Sequence, residues 1–198
     1  SGTTGSPKGA MLSHRNILLN MKEMAECLRC TEDDIHFVPL PLSHVFGANC
    51  GIIIPLITGG SMVTTSSPST EVALQLLADY RCTLAYATPT HFFRYITGIE
   101  AAPKNICLKR AVVGGAPSSP TLIQKMRDVL HILPLNGYGL SEHSPVVSVS
   151  RFEDSDELRS TTIGKPLPSV EAKIVDQDNR ELPHGTFGEL AVRSPFIM

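Results

Sequence analysis

Between residues 61 and 130 short apolar runs alternate with stretches of helical periodicity, and no other feature of the chain restricts its fold as much. Residues 61–65, 83–87 and 109–113 are strand-length runs. Ser69 is placed to cap a helix through Tyr80, with Val72, Leu76 and Leu77 on one face. Pro89 stands at a favoured first-turn position of the next helix, and Ser118 or Ser119, followed by Pro120, opens a third that reaches about residue 130. Upstream, Ser13 caps a helix to about residue 28, where Ile17, Met21, Met24 and Leu28 recur at helical spacing. Strands that alternate with helices build a mostly parallel sheet, so the expected fold class is α/β with helices on both faces. Ligands of such sheets gather at the carboxyl ends of the strands. Three glycine-bearing loops, residues 2–9, 114–117 and 137–142, fall where such a site is built.

After about residue 146 the pattern changes. Runs at 146–150, 170–176 and 186–193 read as strands divided by polar turns such as Asp176-Gln177-Asp178-Asn179. The expectation is an α/β unit over residues 1–145 and a smaller, mainly antiparallel, barrel-like unit over 146–198. Both ends read as interior to a longer chain, because Ser1 opens inside a motif and residue 198 follows directly on a strand-like run.

Composition removes several function classes. Apolar residues are 42% and charged residues 18% of the chain, a globular balance, and a net charge of −2 gives no bulk attraction to nucleic acid or an anionic membrane. The apolar stretch 45–57 is broken by Gly47, Asn49, Gly51 and Pro55, so it reads as a buried helix or loop and not as a membrane span. Five cysteines, an odd number spread through apolar segments, argue against a disulfide scaffold and for a cytoplasmic or other reducing intracellular setting. Cys27 and Cys30 have zinc-like spacing without a second pair or a His partner, and read as the end of a helix.

The strongest chemical signal is Ser1-Gly2-Thr3-Thr4-Gly5-Ser6-Pro7-Lys8-Gly9. Glycines let backbone N–H groups approach phosphate oxygens, hydroxyls add donors, and Lys8 adds a mobile positive charge. A flexible linker has no need of the Pro-Lys-Gly ending, and a Walker A loop requires Gly-Lys-Ser/Thr opening a helix. The run resembles the signature of the AMP-forming acyl-CoA synthetase, adenylation-domain and luciferase superfamily. That resemblance implies that Ser1, Gly2, Thr3, Thr4, Gly5 and Lys8 contact the β- and γ-phosphates of ATP.

Further motifs follow in the superfamily's order. Asn136-Gly137-Tyr138-Gly139-Leu140-Ser141-Glu142 is similar to its aromatic-Gly-x-Thr-Glu signature, with Ser141 for the usual Thr and Asn136 where related CoA ligases often carry Gln. The resemblance implies that Tyr138 stacks on adenine, that Asn136 and Gly137 lie at its edge, and that Ser141 holds the α-phosphate. It also gives Glu142 to Mg²⁺, for which a carboxylate is a suitable hard ligand. Gly114-Gly115-Ala116-Pro117 resembles the segment lining both adenine slot and acyl tunnel, with Gly115, Ala116 and Pro117 toward the nucleotide and Gly114 toward the acyl group. Pro39-Leu40-Pro41-Leu42-Ser43-His44-Val45-Phe46-Gly47 resembles the segment whose His lies beside the reacting carboxylate, with Phe46 and Gly47 lining the acyl pocket. The segment lacks the Asp that amino-acid adenylation domains use for an α-ammonium group. Gly164-Lys165-Pro166 and residues 188–193 are similar to architectural segments of the family, and His36, His91, His131, His143 and His184 are given no catalytic role.

The implied function is activation of a small-molecule carboxylic acid, a fatty or aryl acid, by ATP and Mg²⁺ to an acyl-adenylate, then transfer to coenzyme A. Lys8, Ser141, Glu142 and His44 are its catalytic candidates. Transfer to a carrier-protein thiol and luciferase-like chemistry are the alternatives within the superfamily. The resemblance also implies a ribose-binding Asp and a mobile lid with a catalytic Lys beyond residue 198, so residues 1–198 alone are expected to be inactive. Two readings of another class remain. One is a nucleotide-binding module without turnover. The other is a serine hydrolase built on Gly139-Leu140-Ser141-Glu142-His143, although the nucleophile elbow wants Gly where His143 stands. Neither the length of the acid nor the oligomeric state is legible.

Overall fold

A computed structural model of the chain describes residues 8–198. Helix α1 (His14–Cys27) starts at Ser13, whose hydroxyl accepts the Asn16 N–H while the Asn16 side chain returns to the Ser13 backbone. Strand β1 (Ile35–Val38) follows, then a π-helical segment (Phe46–Ile53) that runs into α2 (Ile54–Thr58). β2 (Ser61–Thr64), α3 (Thr70–Asp79), β3 (Leu84–Ala87), α4 (Pro89–Ala101), β4 (Arg110–Val113) and α5 (Pro120–Asp128) realise the alternation. Ser69 and Ser119 cap α3 and α5 by accepting the N–H groups of Val72 and Leu122. Pro89 and Pro120 occupy first turns, where the missing N–H costs nothing.

Among the described residues the main sheet has seven strands in the order β2-β1-β3-β4-β5-β6-β7, where β5 is Leu133–Gly139, β6 Val146–Val149 and β7 Lys165–Pro166. It is parallel from β2 to β5, and β6 and β7 are antiparallel to their neighbours. All four residues of β3 and of β4 are buried, as expected of strands covered on both faces. Alternation sorts them: Leu84, Tyr86 and Val112 join a core with Met21, Met24 and Leu28 of α1, while Ala85, Ala87, Ala111 and Val113 join one with α3, α4 and α5.

Four expectations need correction or completion. The stretch 137–142 is not a loop throughout: β5 continues to Gly139, and only then does a 3₁₀ turn, Ser141–His143, begin. Its Pro134, Asn136 and two glycines are poor strand formers, which masks it in the sequence. β1 is too short, and too polar at His36, to stand out. The sheet does not stop at residue 145, because β6 and β7 extend it. In place of a barrel, the described residues show a two-stranded antiparallel ribbon of β8 (Glu171–Val175) and β9 (Glu189–Arg193). The 45–57 stretch is helical, as one of its two readings had it. No helix among the described residues is long and apolar enough to cross a membrane, and the five cysteines are free thiols.

Candidate nucleotide and acyl cleft

β5 and β6 part at a bulge. Gly137 pairs with Val149 and Tyr138 with Ser148, but Gly139 pairs with Val146, so the register shifts between Tyr138 and Gly139. A β-carbon on Gly139 would stand 1.9 Å from the Pro145 carbonyl oxygen, so the bulge requires glycine there. The bulge turns the Ser141–Glu142 stretch over the carboxyl ends of β4 and β5. Hydrogen bonds hold that turn from three sides. Asn49 of the π-helical segment donates to the Ser144 carbonyl at 3.2 Å, Ser144 Oγ donates to the Phe196 carbonyl at 2.9 Å, and the Met198 N–H donates to the Glu142 carbonyl at 3.0 Å. On α1 the buried Asn20 side chain accepts the Val146 N–H at 3.1 Å and donates to the Val146 carbonyl at 2.8 Å, replacing a missing strand neighbour.

A cleft of about 280 Å³ opens there, with Tyr138, Ser141, Glu142, Gly114, Gly115, His44 and Phe46 among its walls. Three separate segments predicted from sequence therefore meet: the loop after β1, the loop after β4, and the end of β5 with its turn. Tyr138 is 38% exposed and stands at the mouth. The Phe46 ring meets Tyr86 edge-on at 6.3 Å between centroids. A β-carbon on Gly114 would come within 3.2 Å of Phe46 and 3.3 Å of the Gly137 carbonyl, so the close approach depends on the glycine. Gly115 has φ +82°, a left-handed conformation that glycine adopts without strain. The Phe46 N–H donates to His44 Nδ1 at 3.1 Å, so a neutral His44 carries its proton on Nε2.

Other candidates lie elsewhere. Ser1, Gly2, Thr3, Thr4 and Gly5 fall outside the described residues; Lys8 is described, exposed, and does not line the cleft. Ala116 and Pro117 are exposed beside it. Gly47 is buried behind the wall, where a β-carbon would sit 2.4 Å from the Pro41 carbonyl oxygen. The Asn136 amide is engaged within the fold: it donates to the Thr162 carbonyl at 2.7 Å and accepts from Ser118 Oγ at 3.4 Å. Sequence reasoning passed over Met24, Val112, Leu140, Pro145 and Val146, which also line the cleft. Met24 was legible only as a core position of α1.

His143 does not form a dyad with Ser141. It is buried, with Nδ1 2.9 Å from the Val146 carbonyl and Nε2 2.8 Å from Ser194 Oγ, so both ring nitrogens have other partners. Burial lowers its pKa, although the Val146 carbonyl opposes the shift. The arrangement speaks against a hydrolase nucleophile here.

A second polar cluster lies at the amino ends of β1, β3 and β4. Arg110 forks onto Asp34 at 2.7 and 3.2 Å, and Thr83 Oγ1 donates to the same carboxylate at 2.7 Å. Burial alone would raise the Asp34 pKa; the hydrogen bonds of Arg110, Thr31 and Thr83 outweigh it and hold the carboxyl at about 2. His36 lies 3.1 Å from the Tyr86 hydroxyl, and burial lowers its pKa to about 4. Cys30, Asp34 and His36 are close enough together to share a metal ion, but the guanidinium of Arg110 already occupies both Asp34 oxygens and is the cation of this cluster.

Comparison with known proteins accords with the cleft. The family model described as "AMP-binding enzyme" matches residues 1–198. The chain is 33% identical over 196 residues to the acyl-CoA ligase sidI of Aspergillus fumigatus, covering 97% of this chain and 33% of that protein. It is 33% identical over 202 residues to a long-chain-fatty-acid–CoA ligase of Escherichia coli, covering 100% of this chain and 36% of that protein. The crystal structure of ATP-bound MatB from Rhodopseudomonas palustris superimposes with a TM-score of 0.88 at 27% identity, over 100% of this chain and 39% of that one. The chain thus spans about a third of the length of the curated relatives it matches. A match over its whole length makes this chain a member of the AMP-binding enzyme family.

Proposed function

We propose that the protein containing this chain joins a carboxylic acid to the α-phosphate of ATP and passes the acyl group to the thiol of coenzyme A. The observation that carries the reading is the convergence of Tyr138, Ser141 and Glu142 with Gly114-Gly115 and with His44-Phe46 on one cleft. The names of the relatives, acyl-CoA ligases, support it. A carboxylate oxygen forms a bond to the α-phosphorus while the α–β bridging P–O bond breaks, and pyrophosphate leaves with the electron pair. The thiolate then forms a bond to the acyl carbon, and AMP leaves.

No protein nucleophile is needed, so the residues act by position and charge. Tyr138 offers a ring face to the base, and the Ser141 hydroxyl donates to the α-phosphate. Phe46 and the glycine backbone shape the slot for the acid, and His44 Nε2–H is the donor beside its carboxylate. Glu142 lines the cleft half-exposed, next to Ser141 in the chain, and a carboxylate suits a hard divalent cation. Mg²⁺ bound there supplies neutralisation of phosphate charge. The free thiols support a reducing compartment.

The test is acid-dependent exchange of labelled pyrophosphate into ATP by the full-length protein, across acetate, medium- and long-chain and aromatic acids. Exchange with at least one acid, and release of AMP on adding coenzyme A, is expected. ATP binding without exchange for any acid identifies a non-catalytic nucleotide module. Exchange without transfer to coenzyme A moves the acceptor to another thiol.

A further inference from the structure

The cleft has a direction, given by burial. Tyr138 at the mouth is 38% exposed, Val146 is 6% exposed, Val112 1%, and Met24, which also lines the cleft, has no exposed surface. Met24 therefore stands where the cleft closes. Around that end lie Phe46, Val112 and Val146, all apolar, and behind Met24 the same core holds Met21, Leu28, Cys50, Leu84 and Tyr86. Among the described residues no charged side chain lines this inner part, and the charged or ionisable walls are Glu142, His44 and Tyr138. The end wall is also fixed. Asn20, one helical turn before Met24, is bonded to both backbone groups of Val146, so α1 cannot slide along β6 without breaking two buried hydrogen bonds.

We infer that Met24 on α1 is the end stop of the acid's tail and sets the longest acid the protein accepts. The inference rests on the function proposed above. An uncharged tail enters past Phe46 and Val146 and ends against the Met24 thioether. Packing supplies the discrimination, since each methylene that fits or fails to fit a closed apolar pocket changes kcat/KM by about tenfold or more.

The experiment measures kcat/KM for a homologous series of acids by pyrophosphate exchange in the full-length protein and its variants. In Met24→Ala, which removes three heavy atoms, the ratio for an acid three carbons longer than the parent's optimum, relative to that optimum, should rise at least about tenfold. Met24→Leu keeps the volume and shortens the reach by one bond. It should raise the ratio for the acid one carbon longer about tenfold, and it decides the matter if the alanine variant does not fold. Met21→Ala opens the same core but does not line the cleft, and its acid profile should match the parent's. An unchanged profile in the folded Met24 variants, or an equal shift in Met21→Ala, overturns the end stop while leaving the proposed function intact. A parent protein that exchanges with no acid overturns the proposed function and this inference with it.

Discussion

At the scale of single residues, the cleft is made by atoms that are missing as much as by those present. Gly139 leaves room for the Pro145 carbonyl, and Gly114 leaves room for Phe46. A larger residue at Gly139 moves backbone, whereas at Gly114 it first presses on the Phe46 ring. Glu142 is different, because its side chain lines the cleft and is the metal ligand of the proposed function. In the full-length protein Glu142→Ala should lower acid-dependent pyrophosphate exchange about a hundredfold and raise the Mg²⁺ needed for half-maximal rate. Near-normal exchange at ordinary Mg²⁺ would remove its metal role. The carboxylate could be chosen from sequence because its neighbours matched a known signature. Asn136, from the same signature, could not be placed: its amide is engaged with Thr162 and Ser118, partners that no local pattern reveals.

At the scale of elements, α1 and β6 form the joint that shapes the inner cleft. They meet through Asn20, which is fully buried and bonds both the N–H and the carbonyl of Val146. Asn20→Leu keeps a similar size but leaves the buried Val146 N–H unpaired, at about 1–3 kcal/mol, while the Val146 carbonyl keeps His143 as a partner. The expected loss is therefore about 1–3 kcal/mol, read from the urea midpoint, and faster amide exchange at Val146 should accompany it. A change under about 1 kcal/mol would show that water replaces the asparagine. Periodicity predicted α1 well, because four apolar residues at helical spacing mark one face. It did not predict that a polar residue on the same helix would be buried. β5 was hidden for the converse reason: its glycines serve the bulge and the cleft wall, and glycine has poor strand propensity.

At the scale of the whole molecule, the two ends of the sheet have divided roles. The carboxyl ends hold the cleft, and the amino ends hold the cluster of Asp34, Arg110, Thr83 and His36. That cluster makes stability depend on pH. Folded His36 titrates near 4 against 6.5 unfolded, so between those values the unfolded chain holds the extra proton and acid favours unfolding. The expected fall from pH 6.5 to 4 is about 3 kcal/mol. Folded Asp34 titrates near 2 against 3.8, so its contribution is complete above about pH 4 and is lost only as the pH falls towards 2. Urea midpoints between pH 7 and 4 should therefore slope downward in the parent and less steeply in His36→Gln, the remaining slope belonging to His143 and His91, whose pKa values burial also lowers. Equal slopes in the two would place the effect elsewhere.

The order of strands and helices, the caps at Ser13, Ser69 and Ser119, and the family of the chain were all set by local chemistry, in which each signal lies within a few residues of the next. Tertiary structure alone decided that β6 and β7 would extend the main sheet, that Asn20 would take the place of a strand neighbour, and that Met24 would face a cleft while Met21 faces the core. These choices depend on pairs of groups as far as 126 residues apart, as Asn20 and Val146 are, and hydrophobic periodicity is blind to which partner a buried face will meet.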